Sequence, residues 1–262
     1  MDYAISWTKG KLAARSKQLI VALDHGMSFP DMPGLDRPFD TLKTVLADRN
    51  VDGIIAAPGV YRQADHLGLD LSHVNRLITV DMVATQQDGA LTHLKDREIV
   101  ISPEEAGAYR PDCFKMFLNM YPDKKETIRN VRDLSRFAAE GRRLGISCLA
   151  EIMFFGNKKF LDPACQAEEL YNGCRIAMEV GADVLKIPLI ADLKAMGDIV
   201  EKLRLPVFVL GGAKQPTQEG LLDSLRKLEG MPICGLMFGR NVWQCSDMHG
   251  IMEDISKAFR QR

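Results

Sequence analysis

Short apolar runs alternate along this chain with segments whose apolar residues recur at helical spacing. The runs are continuously apolar, which is typical of parallel strands covered on both faces. The clearest helical segment, 124–145, carries Ile128, Val131 and Leu134 on one face, and Gly145 suits its C-terminal cap. Eight runs are predicted as strands, over 18–24, 52–58, 76–83, 113–119, 147–155, 183–188, 206–212 and 233–239.

Eight strand and helix repeats in 262 residues match the size of a (β/α)8 barrel. A doubly wound open sheet gives the same local rhythm and is the alternative. No linker rich in Pro, Gly or Ser interrupts the rhythm, so we expect one α/β domain over 1–262. Further helices are predicted over 165–181, 190–203, 217–230 and 242–259.

Composition narrows the choice of partner. The chain has 34 Lys and Arg against 35 Asp and Glu, a formal charge of -1, so neither nucleic acid nor an anionic membrane surface is indicated. No stretch reaches the roughly 18 consecutive apolar residues of a membrane span. The N-terminus lacks an apolar signal core, and we expect a cytoplasmic protein with a small-molecule partner.

Cysteine and histidine spacing give no sign of a metal. The 6 Cys are spread singly without a CxxC pair, and the 5 His show neither HxH nor HExxH. LGGAK at 210–214 is not a P-loop, because no GKS or GKT follows, and no GxGxxG follows the first strand. We therefore expect no disulfide framework, no metal and no cofactor.

Four charged residues interrupt the apolar runs where chemistry is expected in a barrel, at or near the C-terminal ends of the strands. They are Asp24, Lys115, Glu151 and Lys186. A single strand-end lysine is more often a snorkelling surface residue. However, chance does not predict charges at four strand ends, and two cations with two anions could neutralise one another at the barrel mouth.

Such a cluster supports amine catalysis on a ketone. A lysine kept neutral by burial and a neighbouring cation attacks the carbonyl, and the protonated Schiff base then withdraws electrons for C–C cleavage or formation. We assign Lys186 as the amine and Lys115 as the neighbouring cation. Glu151 is expected to serve as acid and base in carbinolamine dehydration, and Asp24 to handle the proton of a substrate hydroxyl.

Glycines end the last two predicted strands, as Gly211 with Gly212 and as Gly239 before Arg240. In barrels these two loops often hold phosphate through backbone N–H groups, and an arginine adds a charge-assisted bond. A strand-ending glycine alone would indicate only a turn. Two glycine sites with an arginine predict a phosphate-binding site.

Two residues after the first strand are weaker candidates for substrate contact. His25 follows Asp24 directly and serves either as such a contact or as a turn residue. Arg37 lies in the Pro- and Gly-bearing connection 27–38, where it could bind a second anionic group. A solvated arginine on an irregular surface loop is the alternative.

Four segments carry a family resemblance: VALDHGMS (21–28), GADVLKIP (181–188), FVLGGAK (208–214) and GLMFGRNVWQ (235–244). They resemble the class I aldolase superfamily, in particular the bacterial and archaeal-type class I fructose-bisphosphate aldolases. The resemblance implies a TIM barrel, a Schiff base on Lys186 and a first-strand aspartate at Asp24. It also implies that the Gly-Gly and Gly-Arg pairs bind phosphate.

One departure concerns the substrate. The archaeal-type enzymes carry a catalytic tyrosine in a Tyr-Pro-Arg-Gly-like motif after the fifth strand, whereas this chain reads EIMFFGN at 151–157. CFKMFLNMYPD at 113–123, followed by LAEIMFF at 149–155, is instead similar to the tagatose-bisphosphate and sulfosugar-phosphate aldolases. Those enzymes pair a fourth-strand lysine with a fifth-strand glutamate, which fall here on Lys115 and Glu151.

We therefore expect a metal-independent class I aldolase that cleaves or forms a phosphorylated ketose, with dihydroxyacetone phosphate as the ketone. A transaldol or thiolase-like relative that uses Lys186 is a near variant. The alternative from another class is a sugar-phosphate-binding barrel that regulates without catalysis. Homo-oligomers are common among such barrels, and we expect one here.

Overall fold

Eight parallel strands form a closed barrel in the computed structural model, which describes residues 17–29, 32–83 and 97–260. The predicted TIM barrel is therefore confirmed, and the open sheet is wrong. In chain order the strands are β1 (Gln18–Ala22), β2 (Gly53–Ala56), β3 (Asn75–Thr79), β4 (Asp81–Val83), β5 (Arg97–Ile99), β6 (Cys113–Asn119), β7 (Ser147–Met153), β8 (Val184–Ile187), β9 (Val207–Leu210) and β10 (Gly235–Phe238).

Around the barrel, hydrogen-bonded neighbours follow the order β1-β10-β9-β8-β7-β6-β3-β2, and β2 closes the ring onto β1. β4 and β5 stand apart as an antiparallel pair. The helices are α1 (Pro38–Ala47), α2 (Pro58–His66), α3 (Pro103–Gly107), α4 (Lys124–Leu144), α5 (Pro163–Glu179), α6 (Leu193–Leu203), α7 (Gln218–Arg226), α8 (Arg240–Trp243) and α9 (Met248–Arg260).

Helix ends follow local sequence signals. α4 begins after Asp123, whose side chain accepts a hydrogen bond from the Lys125 N–H, and it ends at Gly145 with a φ of 71°. The predicted glycine cap is thus confirmed. Within the described ranges, none of the helices has the length and apolar character needed to cross a membrane.

Two predicted elements are divided in the structure. The run predicted as one strand over 76–83 is broken at Val80, because β3 stays beside β6 while β4 turns away to pair with β5. The helix predicted over 242–259 is two helices, α8 and α9. Asp247 lies between them, and its side chain accepts a hydrogen bond from the Gly250 N–H near the start of α9.

The period of two along each strand decides which side chains enter the barrel. A buried cluster inside the barrel takes one residue from most strands, among them Leu77, Cys113, Leu149 and Val184. Positions two residues further along each strand point to the same side, nearer the C-terminal mouth. That rule directs Thr79, Lys115, Glu151 and Lys186 inward, while the residues between them pack against the helices.

Candidate active site

A continuous chain of ion pairs crosses the mouth of the barrel. Glu151 lies between two lysines, with Oε1 2.8 Å from Lys186 Nζ and Oε2 2.9 Å from Lys115 Nζ. Lys115 Nζ also lies 3.1 Å from Asp24 Oδ2. All four side chains are buried. The structure thus brings together the four charged residues that the sequence singled out, and it places them on β8, β7, β6 and the residues after β1.

Backbone register accounts for this chain of pairs. Glu151 on β7 is the ladder partner of Lys186 on β8, so their side chains leave the barrel wall side by side. Thr79 on β3 is likewise the partner of Lys115 on β6, and its hydroxyl donates a hydrogen bond of 2.7 Å to Asp24 Oδ2. The Glu151–Lys186 contact therefore depends on strand pairing, whereas Asp24, which follows β1, is held beside Lys115 by the Thr79 hydroxyl.

The pairing fixes the charges of the two acids. Burial alone would raise the pKa of Asp24, but Lys115, His25, Lys186 and the Thr79 hydroxyl outweigh it and hold that pKa well below its usual range. Burial also opposes ionisation of Glu151, and its two lysine partners again prevail and lower its pKa. Both acids are therefore carboxylates at neutral pH.

Lys115 is the fixed cation of the group. Burial would lower its pKa, yet Asp24 and Glu151 outweigh burial and raise the pKa above the usual value. Its ammonium also lies 3.3 Å from the centroid of the Phe117 ring, a cation–π contact. Lys115 thus remains protonated between two carboxylates and an aromatic face.

The predicted phosphate-binding residues line the same cavity at the ends of β9 and β10, which lie between β8 and β1 in the ring. Gly211, Gly212, Gly239 and Arg240 line it together with the four charged residues. A Cβ on Gly239 would lie 2.6 Å from His25 Cε1, so a side chain there would displace the His25 ring. Arg240 Nε is buried and has no hydrogen-bond partner among the described residues.

Asn241 joins the two glycine loops and was missed by the sequence analysis. Its Nδ2 donates to the Gly211 carbonyl at 2.8 Å, and its Oδ1 accepts from the Gln215 N–H at 2.8 Å. The side chain is buried, so the bonds are shielded from water. Asn241 therefore fixes the loop after β9 against the start of α8.

The two weaker candidates separate in the structure. His25 lines the cavity, with Nδ1 3.7 Å from Asp24 Oδ1 and its ring edge-on to Trp243. Arg37 precedes α1, and its side chain is 80% exposed and lies 4.0 Å from Asp40. The structure does not bring Arg37 to the cavity.

Asp81 is a second residue that the sequence analysis missed. It lines the cavity and is fully buried, and its Oδ2 accepts hydrogen bonds from Arg97 Nε at 2.5 Å and from the Phe117 N–H at 2.8 Å. Asp81 is a charged residue inside the apolar run 76–83, just as Lys115 is inside the run 113–119, so the sequence could have identified it as a candidate. Arg97 had no such signal, because its contact with Asp81 is made only by the folded hairpin.

The donor set does not resemble a metal site. Within the described ranges no group of three or more His, Cys, Asp or Glu side chains is arranged to hold a metal ion. The acids at the mouth have lysine partners instead, which compete with a cation for the same oxygens.

A barrel whose mouth joins buried lysines, carboxylates and an arginine with glycine loops has the features of an enzyme acting on a small anionic substrate. The sequence profile described as DeoC/LacD family aldolase matches residues 18–245. The chain belongs to the DeoC/LacD family of aldolases. The protein is therefore an enzyme of the class I aldolase type, and the alternative of a barrel without catalysis is set aside.

Several relatives cover most of the chain. A class 1 fructose-bisphosphate aldolase of Thermoproteus tenax is 26% identical over 247 residues, covering 90% of this chain and 86% of its own. The 2-amino-4,5-dihydroxy-6-oxo-7-(phosphonooxy)heptanoate synthase of Streptomyces griseus is 24% identical over 240 residues, covering 90% and 82%. These two relatives are named for different reactions.

Solved structures share the fold. An archaeal fructose 1,6-bisphosphate aldolase superposes with a TM-score of 0.75 at 21% identity, covering 94% of each chain. Another, described with its catalytic lysine covalently bound to the carbinolamine intermediate of its substrate, has a TM-score of 0.76 at 20% identity, covering 94% of this chain and 95% of its own. At these identities the likeness establishes the barrel architecture.

Proposed function

We propose that this aldolase cleaves or forms a phosphorylated ketose through a Schiff base on Lys186, with dihydroxyacetone phosphate as the three-carbon ketone. The observation that carries the proposal is the placement of the Lys186 amine 2.8 Å from a buried carboxylate of Glu151, in a cavity that also contains Arg240 and the two glycine loops. An amine, a proton acceptor and an anion-binding side chain thus share one cavity.

Glu151 serves the formation of the Schiff base. Its carboxylate accepts a proton from Lys186, and the free amine then attacks the ketone carbon to give a carbinolamine. Glu151 returns the proton to the carbinolamine hydroxyl, which leaves as water and gives the protonated imine. Lys115, held on the other oxygen of Glu151, remains charged throughout.

Asp24 serves the C–C bond. In cleavage its carboxylate accepts the proton of the hydroxyl on the carbon that becomes the aldehyde, and the electrons of the broken bond pass into the imine to form an enamine. The enamine carbon then takes up a proton, and water hydrolyses the imine to release the ketone and regenerate Lys186. The Thr79 hydroxyl and Lys115 hold Asp24 in place for this transfer.

The phosphate lies at the loops after β9 and β10 in this proposal. Backbone N–H groups at Gly212 and Gly239 contact its oxygens, and Arg240 supplies a charge-assisted bond. Gly211 lines the site while its own N–H donates to the Met237 carbonyl. Its unpartnered, buried Nε supports this role, because a buried donor without an acceptor is costly unless a ligand provides one.

Borohydride reduction in the presence of dihydroxyacetone phosphate tests the proposal. We expect a stable adduct that peptide mass mapping assigns to Lys186, with the same yield in EDTA. Lys186→Met is expected to abolish the adduct, whereas Lys194→Met, which changes an exposed lysine on α6, should leave it unchanged. Trapping on Lys115, or no trapping at all, would contradict the proposal.

A further inference from the structure

The acceptor aldehyde is the part of the reaction that the proposed function leaves open, and this inference about it rests on that function. Relatives of nearly equal identity are named for different reactions, so the acceptor has to be inferred from the cavity of this chain. In the ring order of the barrel, the strands across from β9 and β10 are β3 and β6. A ketose held by its phosphate at the first pair of strands therefore extends toward the second.

The side of the cavity across from β9 and β10 is lined by apolar side chains. Val83 on β4, Phe117 on β6, Met153 at the end of β7 and Phe155 just after it all line the cavity. Val83 is buried and the other three are half-buried, so they present apolar surface to whatever fills the space. We call these four residues the apolar wall.

The wall is held rigidly at Phe155. The Asn119 side chain on β6 accepts a hydrogen bond of 2.8 Å from the Phe155 N–H and donates one of 3.3 Å to the Phe155 carbonyl. Neighbouring Phe154 turns away from the cavity and stacks on Phe160 at 3.8 Å between ring centroids. The sequence FF at 154–155 therefore places one ring outside the cavity and one ring in its wall.

Charges on this side disfavour an anion. Lys115 is already paired with Asp24 and Glu151. Asp81 is a buried acid whose Oδ1 has no hydrogen-bond partner among the described residues. A phosphate placed against the apolar wall would lose its hydration without gaining a cation from the four wall residues, because Arg240 follows β10 across the ring and Asp81 also lines the cavity.

We propose that the acceptor aldehyde is uncharged and packs carbon atoms against the apolar wall, so that the ketose carries one phosphate, on the side of the dihydroxyacetone unit. Transfer of an uncharged hydrocarbon surface from water to such a wall is favourable, whereas transfer of a second phosphate is unfavourable.

Initial rates of aldol addition test the proposal, with dihydroxyacetone phosphate as donor and three acceptors compared at equal concentration. We expect kcat/KM for D-glyceraldehyde and for lactaldehyde to exceed that for D-glyceraldehyde 3-phosphate by at least about tenfold. Lactaldehyde, which has a methyl group in place of a hydroxymethyl group, is expected to match or exceed glyceraldehyde. A preference for the phosphorylated acceptor would overturn the inference.

Borohydride trapping with dihydroxyacetone phosphate alone separates this inference from the proposed function, because trapping needs no acceptor. An adduct on Lys186 together with a preference for glyceraldehyde 3-phosphate overturns the inference alone. Absence of any adduct overturns the proposed function and the inference with it.

Variants that add a cation to the wall give a second test. Phe155→Arg is expected to raise kcat/KM for glyceraldehyde 3-phosphate relative to glyceraldehyde by about tenfold or more. Met153→Lys is the second variant, in case the first does not fold. Leu161→Arg is the matched control, since it adds the same charge at a nearby side chain that is 73% exposed and outside the cavity, and its ratio should stay unchanged. An unchanged ratio in the folded wall variants would contradict the proposal.

Discussion

His25 lies between Asp24 and Gly239 at the end of β10. Its ring fills the space that a side chain at Gly239 would need, and it contacts Trp243 edge to face. Burial, aided by the cations Lys186 and Arg240, outweighs the opposing effect of Asp24 and lowers the pKa of His25 to about 4. His25 is therefore neutral at neutral pH and fits the cavity as an uncharged ring.

The buried, neutral His25 makes the native state less stable at acidic pH. The unfolded chain protonates the residue below about pH 6.5, whereas the native state does so only near pH 4, so stability falls as the pH drops between these values. The free energy of unfolding of wild-type protein should therefore fall more between pH 7 and pH 5 than that of His25→Gln, by about 2 kcal/mol. Urea denaturation at both pH values measures this difference.

The exposed His66 offers a control, because His66→Gln should keep the wild-type pH dependence. The lowered pKa values of Asp24 and Glu151 act in another window, since their stabilisation is lost only below about pH 4.5, where unfolded carboxylates begin to protonate. Equal pH dependence in wild type and His25→Gln would refute the expected effect.

Among single residues, sequence alone could identify charged groups that interrupt otherwise apolar runs. Lys115, Glu151 and Lys186 are charges inside apolar runs, and the period of two in a strand directs such side chains to one side. Sequence could not show that Glu151 lies between the two lysines, because that contact depends on the register of β6, β7 and β8. It also left Arg37 as a candidate, because the path of a loop is not encoded in local periodicity.

At the scale of elements, the hairpin of β4 and β5 is the feature that departs from a plain barrel. Asp81 on β4 joins it to the Phe117 N–H of β6, and Arg97 on β5 reaches Asp133 on α4 at 2.9 Å. The Val83 N–H donates to the Ser28 hydroxyl beyond β1 at 3.2 Å. These bonds hold the hairpin over the cavity at three points.

The buried pair Asp81–Arg97 should hold the hairpin much more strongly than its exposed pair. Asp81→Asn leaves Arg97 buried without its full counter-charge, and we expect a loss of about 3 kcal/mol in the free energy of unfolding. Glu98→Gln removes the exposed contact of the same hairpin with Arg129 and should cost less than about 1 kcal/mol. Chemical denaturation compares the two variants, and equal costs would show that burial of the pair has no effect.

The elements themselves were largely predictable, because each barrel strand is a short apolar run and each long helix has an apolar face. The exceptions arise where tertiary contacts decide. The run 76–83 has uniform strand character, yet hydrogen bonds to β6 and β5 pull its two halves apart at Val80. Helical periodicity likewise continues through 244–247, where Asp247 starts a new helix.

At the scale of the whole molecule, closure joins strands at opposite ends of the chain. β1 pairs with β10 from Gln18 opposite Gly235 to Val21 opposite Phe238. The Trp243 indole adds a hydrogen bond of 2.9 Å to the Ala22 carbonyl. The seam between β1 and β10 therefore ends next to Asp24 and Gly239.

Gly235 is the tightest point of that seam. A Cβ there would lie 2.3 Å from the Gln18 carbonyl oxygen and 2.7 Å from the Phe208 ring, so Gly235→Ala must push β10 away from β1. We expect a loss of about 2 kcal/mol or more in the free energy of unfolding. Gly197→Ala is the control, since its Cβ on α6 would meet nothing within 4 Å, and it should stabilise by roughly 0.5–1 kcal/mol. Thermal and urea unfolding give both values, and equal effects would contradict this view of closure.

In the barrel β3 pairs directly with β6, so β4, β5 and α3 form an insertion in the chain between these two strands. The hydrogen bonds between β3 and β6 do not depend on this insertion. One side of the cavity is therefore formed by the insertion, while Lys186 and Glu151 lie on strands of the barrel. Replacing the insertion with that of another family member is a way to change the accepted aldehyde without altering Lys186 or Glu151.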